Sequence, residues 1–212
     1  MPIPCKDCGY GFTKGCEIIE KYKIIGETFK NNLGLEFVVE GCESVTANSI
    51  KLYRVRFIKS GFVAHNISSG HIRKGEVKDY FSPSVFGVGC LGYASGYAKR
   101  HESRRIYYTW RNMIRRCYDK TNKAYKWYGE KGITVCERWK RLDYFIEDIV
   151  KIPGYNAVKF EQNEIELDKD IIGHNRNVYS PETCCFVPHA ENNREALARR
   201  WHSDNNHGRI NV

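Results

Sequence analysis

The chain has 212 residues, of which 42% are hydrophobic, and it carries a net charge of +9. This composition indicates a folded protein of one large or two small domains and excludes a disordered chain. No apolar run approaches the roughly 20 residues that cross a bilayer, and the N-terminus has no hydrophobic signal region, so we expect neither a membrane contact nor secretion. Nine cysteines, with Cys184 next to Cys185, favour reduced thiols in a cytoplasm over a disulfide framework.

The positive charge is concentrated in one segment of the chain. Residues 99–145 contain six lysines and eight arginines against five acidic residues, which gives +9, the net charge of the whole chain. A basic patch confined to one segment is the electrostatic footprint of a polyanion partner, although a merely solvated surface is the alternative. We therefore expect double-stranded DNA as the partner.

Residues 1–22 predict an N-terminal arm that contains cysteines. Cys5 and Cys8 form a Cys-x-x-Cys-Gly pattern, which resembles half of a zinc ribbon, and Cys16 is a third cysteine nearby. Zinc in a structural site takes four tetrahedral ligands. The arm therefore predicts a Zn²⁺ site if Cys42 or a distant histidine supplies the fourth ligand, and otherwise an arm without metal.

Residues 23–98 predict a small β-rich module followed by a connector. The strand patterns lie at 36–40, 50–58 and 62–67, and in the second of them Tyr53, Val55 and Phe57 share one face. Several short strands in so few residues suggest a small curled sheet or SH3-like barrel, with either a structural or a DNA-docking role. The glycines Gly87, Gly89 and Gly92 do not open a helix after a strand, which excludes a dinucleotide-binding motif. We interpret them as a tight, extended connector that lies close to a phosphate backbone.

Residues 104–118 predict an amphipathic helix with a basic outer face. Tyr107, Trp110, Ile114 and Cys117 recur at spacings of three and four and define an inward stripe. The arginines lie mainly on the other side of this helix: Arg104, Arg105, Arg111, Arg115 and Arg116. Because arginine pairs bidentately with phosphate, we expect most of them to contact DNA.

The loop that follows, at 120–132, combines aromatic residues with cations, including Lys126 and Lys131. This mixture suits base stacking and backbone contact, and it also suits an ordinary aromatic core, so both interpretations stay open. A strand at 133–136 and a helix that begins near Trp139 come next.

The C-terminal segment predicts a strand, a loop, a second strand and a helix between residues 164 and 201. Asp168 ends the first strand, Pro188 can open the helix, and Asn192 lies in its first turns. A carboxylate and an amide brought together in this way form an oxygen-rich site that suits Mg²⁺ or a similar divalent cation.

This segment resembles the ββα-metal finger of the HNH endonuclease superfamily, in the form found in phage-encoded and intron-homing proteins. The resemblance rests on the run from Glu164 to Arg194, including the Tyr-Ser-Pro-Glu-Thr-Cys-Cys-Phe-Val-Pro stretch at 179–188. It implies that Asp168 is the first metal ligand and that Asn192 is the second. The general-base histidine of the superfamily falls on Lys169, and its loop-organising asparagine falls on Thr183.

The departure at Lys169 bears on the catalytic base. An ammonium group is a poor base at neutral pH, so Lys169 fits a phosphate clamp better. His174 in the following loop is a substitute base, and His189 at the start of the helix is a weaker one.

The sequence therefore predicts an α+β protein with an N-terminal SH3-like module, a basic α/β segment and a C-terminal ββα-metal finger, the last two within residues 99–212. The function implied by the resemblance is hydrolysis of DNA phosphodiester bonds with one divalent ion, in the cytoplasm of a bacterial host if the protein is phage-encoded. The alternatives are a DNA-binding protein that keeps this fold without cleavage, or a phage host-interaction factor.

Overall fold

The computed structural model describes residues 24–96, 104–172, 177–191 and 194. The chain forms two compact units, Met1–Ser82 and Pro83–Val212, which we call the first and the second unit. The fold is mixed α and β and contains an antiparallel sheet, so the expected α+β class is confirmed at that level. The division between the units lies earlier in the chain than the predicted boundary at residue 98.

The first unit is a four-stranded antiparallel sheet whose strand order follows the sequence. The strands are β1 (Thr28–Lys30), β2 (Glu36–Val45), β3 (Lys51–Phe57) and β4 (Val63–Ser68), and the short helix α1 (Ser69–Arg73) follows them. Alternate residues of β3 are buried, so Tyr53, Val55 and Phe57 enter the core, as the sequence pattern predicts. Two register shifts in β2 bend that strand, because a bulge increases the local twist.

The described residues of the second unit include the helices and the two separate strand pairs that follow. The helices are α2 (Arg104–Tyr118), α3 (Leu142–Ile149) and α4 (Ala157–Glu161), and the strands are β5 (Thr134–Val135), β6 (Ile165–Asp168), β7 (Val178–Tyr179) and β8 (Cys185–Pro188). Strand β5 pairs with β7 in parallel, and β6 pairs with β8 antiparallel. The predicted inward stripe of α2 is largely buried, with Trp110 and Ile114 fully enclosed.

A chain of indole hydrogen bonds connects the elements of this core. Trp110 Nε1 on α2 donates to the Trp139 carbonyl at 2.7 Å, and Trp139 Nε1 donates to Asp148 Oδ2 on α3 at 3.0 Å. Arg138 also binds Asp148, through Nε at 2.7 Å and Nη2 at 3.0 Å. The two buried tryptophans therefore satisfy their polar atoms inside the core.

The glycine-rich stretch after Ser82 belongs to the second unit and packs against its helices. Cys90 N donates to the Lys140 carbonyl, and Leu142 N donates to the Cys90 carbonyl, both at 3.0 Å. A Cβ atom on Gly89 would lie 3.0 Å from the Trp110 ring, and one on Gly92 would overlap the Asp143 carboxylate. At Gly89 and Gly92 the close approach that requires glycine is therefore to side chains of the protein itself, and a contact of this stretch with a phosphate backbone stays a prediction.

Within the part of the chain that the structure describes, no helix is long and apolar enough to span a membrane.

Candidate nucleic-acid site

Strands β6 and β8 form the framework of the predicted site. Ile165 lies opposite Pro188 and Asp168 lies opposite Cys185, so the four residues of each strand pair along their whole length. Residues 189–191, directly after β8, are helical. The order of strand, strand and helix expected between residues 164 and 201 is therefore present in the residues that are described.

Asp168 organises the turn that follows β6. Its side chain is buried, and its Oδ1 accepts hydrogen bonds from the backbone N–H groups of Asp170 (2.7 Å) and Ile171 (3.0 Å). This is the local turn-forming bond that aspartate makes where a strand ends. Since Oδ1 is committed to the turn, a cation at this place would use Oδ2.

Lys169 lies in the interior and not on a DNA-facing surface. The residue is 5% exposed, its ammonium group pairs with Asp170 Oδ1, and it lies 5.9 Å from the centre of the Tyr179 ring. A buried ammonium already paired with a carboxylate cannot reach a phosphate in this conformation. The structure therefore does not support Lys169 as a phosphate clamp or as a catalytic base.

Thr183 holds the loop between β7 and β8. Its buried Oγ1 donates to the Val178 carbonyl at 2.7 Å and accepts from Ser180 N at 3.0 Å. The departure from asparagine at this position therefore still leaves a side chain that organises the loop. Next to it, burial raises the pKa of the Cys184 thiol to about 12, which makes this thiol a poor ligand for a metal ion.

Several predicted site residues lie outside the described part of the chain: His174, Asn192, Cys5, Cys8 and Cys16. Cys42, the candidate fourth zinc ligand, is half-buried in β2. Within the described ranges, no three histidine, cysteine or acidic residues are placed together to hold a metal ion. Of the two proposed ligands of the divalent ion, Asp168 is thus the one whose surroundings are described.

The arginines of α2 are held mostly by contacts within the protein. Arg104 is exposed. The others are half-buried and contact side chains of the second unit: Arg105 stacks on Phe160, Arg111 on Phe86, Arg115 pairs with Asp119, and Arg116 lies over Tyr128 and Tyr179. Neighbouring rings and a carboxylate therefore fix the orientation of four of the five arginines, and their contact with DNA stays a prediction.

The loop after α2 presents an exposed tryptophan between two lysines. Trp127 is 56% exposed, and the Nζ atoms of Lys126 and Lys131 lie 4.8 and 5.0 Å from the centres of its rings. Tyr128, in contrast, packs against the core. Tyr128 therefore fits the interpretation as an aromatic core, and base stacking on the exposed surface of Lys126, Trp127 and Lys131 stays a prediction.

A polar cavity of about 240 Å³ lies between α2 and the strands β6 and β7. It is lined by Arg105, Tyr108, Thr109, Asn112, Met113, Arg116, Phe160, Asn163, Glu166, Leu167, Tyr179 and His189. The lining residues of α2 recur every three or four positions, so they share one face of that helix. The sequence alone does not reveal this cavity, because only the fold brings that face of α2 against β6.

The cavity contains a paired histidine and carboxylate. His189 Nδ1 lies 3.0 Å from Glu166 Oε1, and His189 N donates to the Glu164 carbonyl at 3.3 Å. His189 thus follows the Pro188 end of the ladder, whereas Asp168 lies at the opposite end, about 10 Å away at the usual strand rise. The signal in the sequence that pointed to Glu166 was its alternation with Asp168 along one strand, which places both side chains on the same face.

In comparisons with known proteins, no protein family, no curated protein and no solved structure matches this chain.

Proposed function

We propose that the chain is an HNH-like, divalent-metal-dependent phosphodiesterase that acts on double-stranded DNA. The strand pair β6–β8 and the helical residues after it would form a ββα-metal finger, and the bulged sheet of the first unit would be an SH3-like accessory module. The observation that carries the proposal is the antiparallel pair of β6 and β8, followed directly by helical residues, with Asp168 at the end of β6. Thr183 adds support, because it organises the loop as this type of finger requires.

Asp168 and Asn192 would hold the divalent ion. When bound, such an ion neutralises the charge that develops on the phosphate and on the leaving oxygen. The turn bonds to Oδ1 fix the carboxylate of Asp168 in one orientation before any ion binds. His174 is our candidate for activating the attacking water, because Lys169 is buried and paired with Asp170.

A second candidate function is DNA binding without cleavage. The observation that favours it is the position of Lys169, which replaces the expected base by a buried cation. The lysines and the tryptophan of the 126–131 loop would then serve binding alone.

A nicking assay separates the two candidates. Supercoiled plasmid is incubated with the protein and Mg²⁺ or Mn²⁺, and the Asp168→Asn variant is compared with Glu164→Gln. Asparagine keeps an oxygen for the turn bonds and removes the charge, so we expect nicking to fall at least about a hundredfold. Glu164→Gln removes the same charge from an exposed residue that precedes β6, and its nicking rate should equal that of the wild type.

Equal nicking by wild type and Asp168→Asn would refute the metal role of Asp168. No nicking with either ion, together with tight DNA binding, would select the second candidate. Absence of both nicking and DNA binding would overturn both candidates.

A further inference from the structure

The cavity between α2 and β6 contains two guanidinium groups that are held in place. The Arg105 guanidinium lies 4.7 Å from the centre of the Phe160 ring. Arg116 Nη1 donates to the hydroxyl groups of Tyr128 and Tyr179, each at 3.3 Å. Because the protein already orders these cations, a ligand that binds them loses less conformational entropy than it would with mobile surface arginines.

Two nitrogen atoms of the lining residues are buried without a hydrogen-bond partner. Among the residues that the structure describes, these atoms are Arg105 Nε and His189 Nε2. A carboxylate accepts hydrogen bonds and does not donate them, so the Nδ1–H group of His189 donates to Glu166. Nε2 has no partner in the protein, and it donates to an anion when the imidazole carries both protons. Buried polar atoms in folded proteins nearly always have a partner, and these two therefore indicate where a ligand atom binds.

The charge and size of the cavity define the class of ligand. Two arginines outweigh the single carboxylate of Glu166, which is already paired with His189. Thr109 and Asn112 add neutral hydrogen-bonding groups to the wall. A small, oxygen-rich anion matches this arrangement, and among such anions a phosphate group presents several oxygens to two arginines at once.

We propose that this cavity binds a phosphate group, either the phosphodiester of a nucleic-acid strand or the phosphate of a mononucleotide, through Arg105, Arg116 and His189. His189 follows the end of the β6–β8 ladder that is opposite to Asp168. The phosphate site extends the proposed function by a second contact with the polyanion, but it requires neither a metal ion nor cleavage.

The test is a calorimetric titration in EDTA with three probes: inorganic phosphate, thymidine monophosphate and a thymidine dinucleotide with one internal phosphodiester. The wild type is compared with His189→Phe, which keeps a ring of similar shape, and with Arg105→Lys, which keeps the charge but loses Nε–H. We expect each substitution to weaken the tightest-binding probe by about tenfold, as the loss of one charge-assisted hydrogen bond implies.

The first unit offers a matched control for the histidine. His65 Nδ1 lies 2.7 Å from Glu43 Oε1 on the protein surface, so it reproduces the pairing of His189 with Glu166 outside any phosphate site. His65→Phe should change the affinity by less than about twofold. Circular dichroism spectra that match the wild type would show that each variant is folded.

Tightest binding of the dinucleotide would identify a strand phosphodiester as the ligand, and tightest binding of the monophosphate or of free phosphate would identify a phosphate monoester. Absence of saturable binding of all three probes by the wild type would overturn the proposal, as would wild-type affinity in both His189→Phe and Arg105→Lys. Because the titrations contain no metal ion, a failure in the nicking assay does not affect this outcome.

Discussion

At the scale of single residues, short polar side chains decide the backbone path around the candidate site. Asp168 fixes the turn after β6 with two accepted hydrogen bonds, and Thr183 fixes the loop before β8 with a donated and an accepted one. Both side chains are buried. A buried hydroxyl that satisfies two backbone groups leaves both of them unpaired when it is removed, so its contribution exceeds that of a surface hydroxyl.

We therefore expect Thr183→Val to lower the free energy of unfolding by about 1–3 kcal/mol, since valine keeps the shape but leaves Ser180 N and the Val178 carbonyl unpaired. Thr134→Val is the control, because the exposed hydroxyl of Thr134 donates to the Asn177 carbonyl at 3.3 Å on the surface. Its effect should stay within about 0.5 kcal/mol. Urea unfolding measures both values, and equal effects of the two substitutions would contradict this role of Thr183.

At the scale of elements, Asp148 connects α3 to the turn before it and, through Trp139, to α2. The hydrogen bonds from Arg138 are the main reason that the pKa of Asp148 lies below its usual range. A carboxyl group whose pKa is lower in the folded than in the unfolded state stabilises the fold above the unfolded pKa. This stabilisation is lost as the pH falls through the lower, folded-state pKa.

Substitution of Asp148 by asparagine tests this linkage. At pH 7 we expect Asp148→Asn to reduce the stability of the second unit by about 1–3 kcal/mol, because the charge-assisted bonds to Arg138 become neutral. The difference from the wild type should shrink below about pH 4, where the wild-type carboxyl also loses its charge. Glu147→Gln on the exposed side of α3 should have little effect, and a difference that stays constant from pH 7 to pH 3 would refute the linkage.

At the scale of the whole molecule, the useful property is the location of the charge. The net charge of +9 falls entirely within residues 99–145, yet many of the arginines in that segment are committed to rings and carboxylates of the protein. The exposed lysines of the 126–131 loop are better placed to meet a polyanion. Binding of DNA should therefore depend on these lysines more than on Arg111 and Arg115, which lie outside the proposed phosphate cavity and are held by Phe86 and Asp119.

The salt dependence of DNA binding tests this assignment. Each neutralised phosphate contributes about 0.9 to the slope of log affinity against log salt concentration. Lys126→Gln and Lys131→Gln should each reduce the slope by about one. Each should also weaken the affinity for unrelated DNA sequences by similar factors. Lys30→Gln in the first unit, where Lys30 pairs with Glu36 at 3.3 Å, should leave the slope unchanged. Fluorescence anisotropy provides the measurement, and an unchanged slope in both loop variants would show that DNA binds elsewhere.

The sequence by itself determined the local elements wherever the periodicity was strong. The stripe of α2, the alternation of β3 and the strand that ends at Asp168 follow from side-chain spacing, and the structure contains each of them. Local spacing reports which face of an element avoids water, and it needs no knowledge of the partner.

Only the tertiary structure decided which polar groups are available. Lys169 and Glu166 are both charged residues near the end of one strand, yet the fold buries Lys169 against Asp170 and directs Glu166 to a cavity wall beside His189. Arg116 was expected on the outer face of α2, and the fold places it over two tyrosine rings in the wall of the cavity. Charge and spacing along the chain cannot distinguish these outcomes, because the availability of a polar group depends on residues up to 63 positions away that only folding brings into contact.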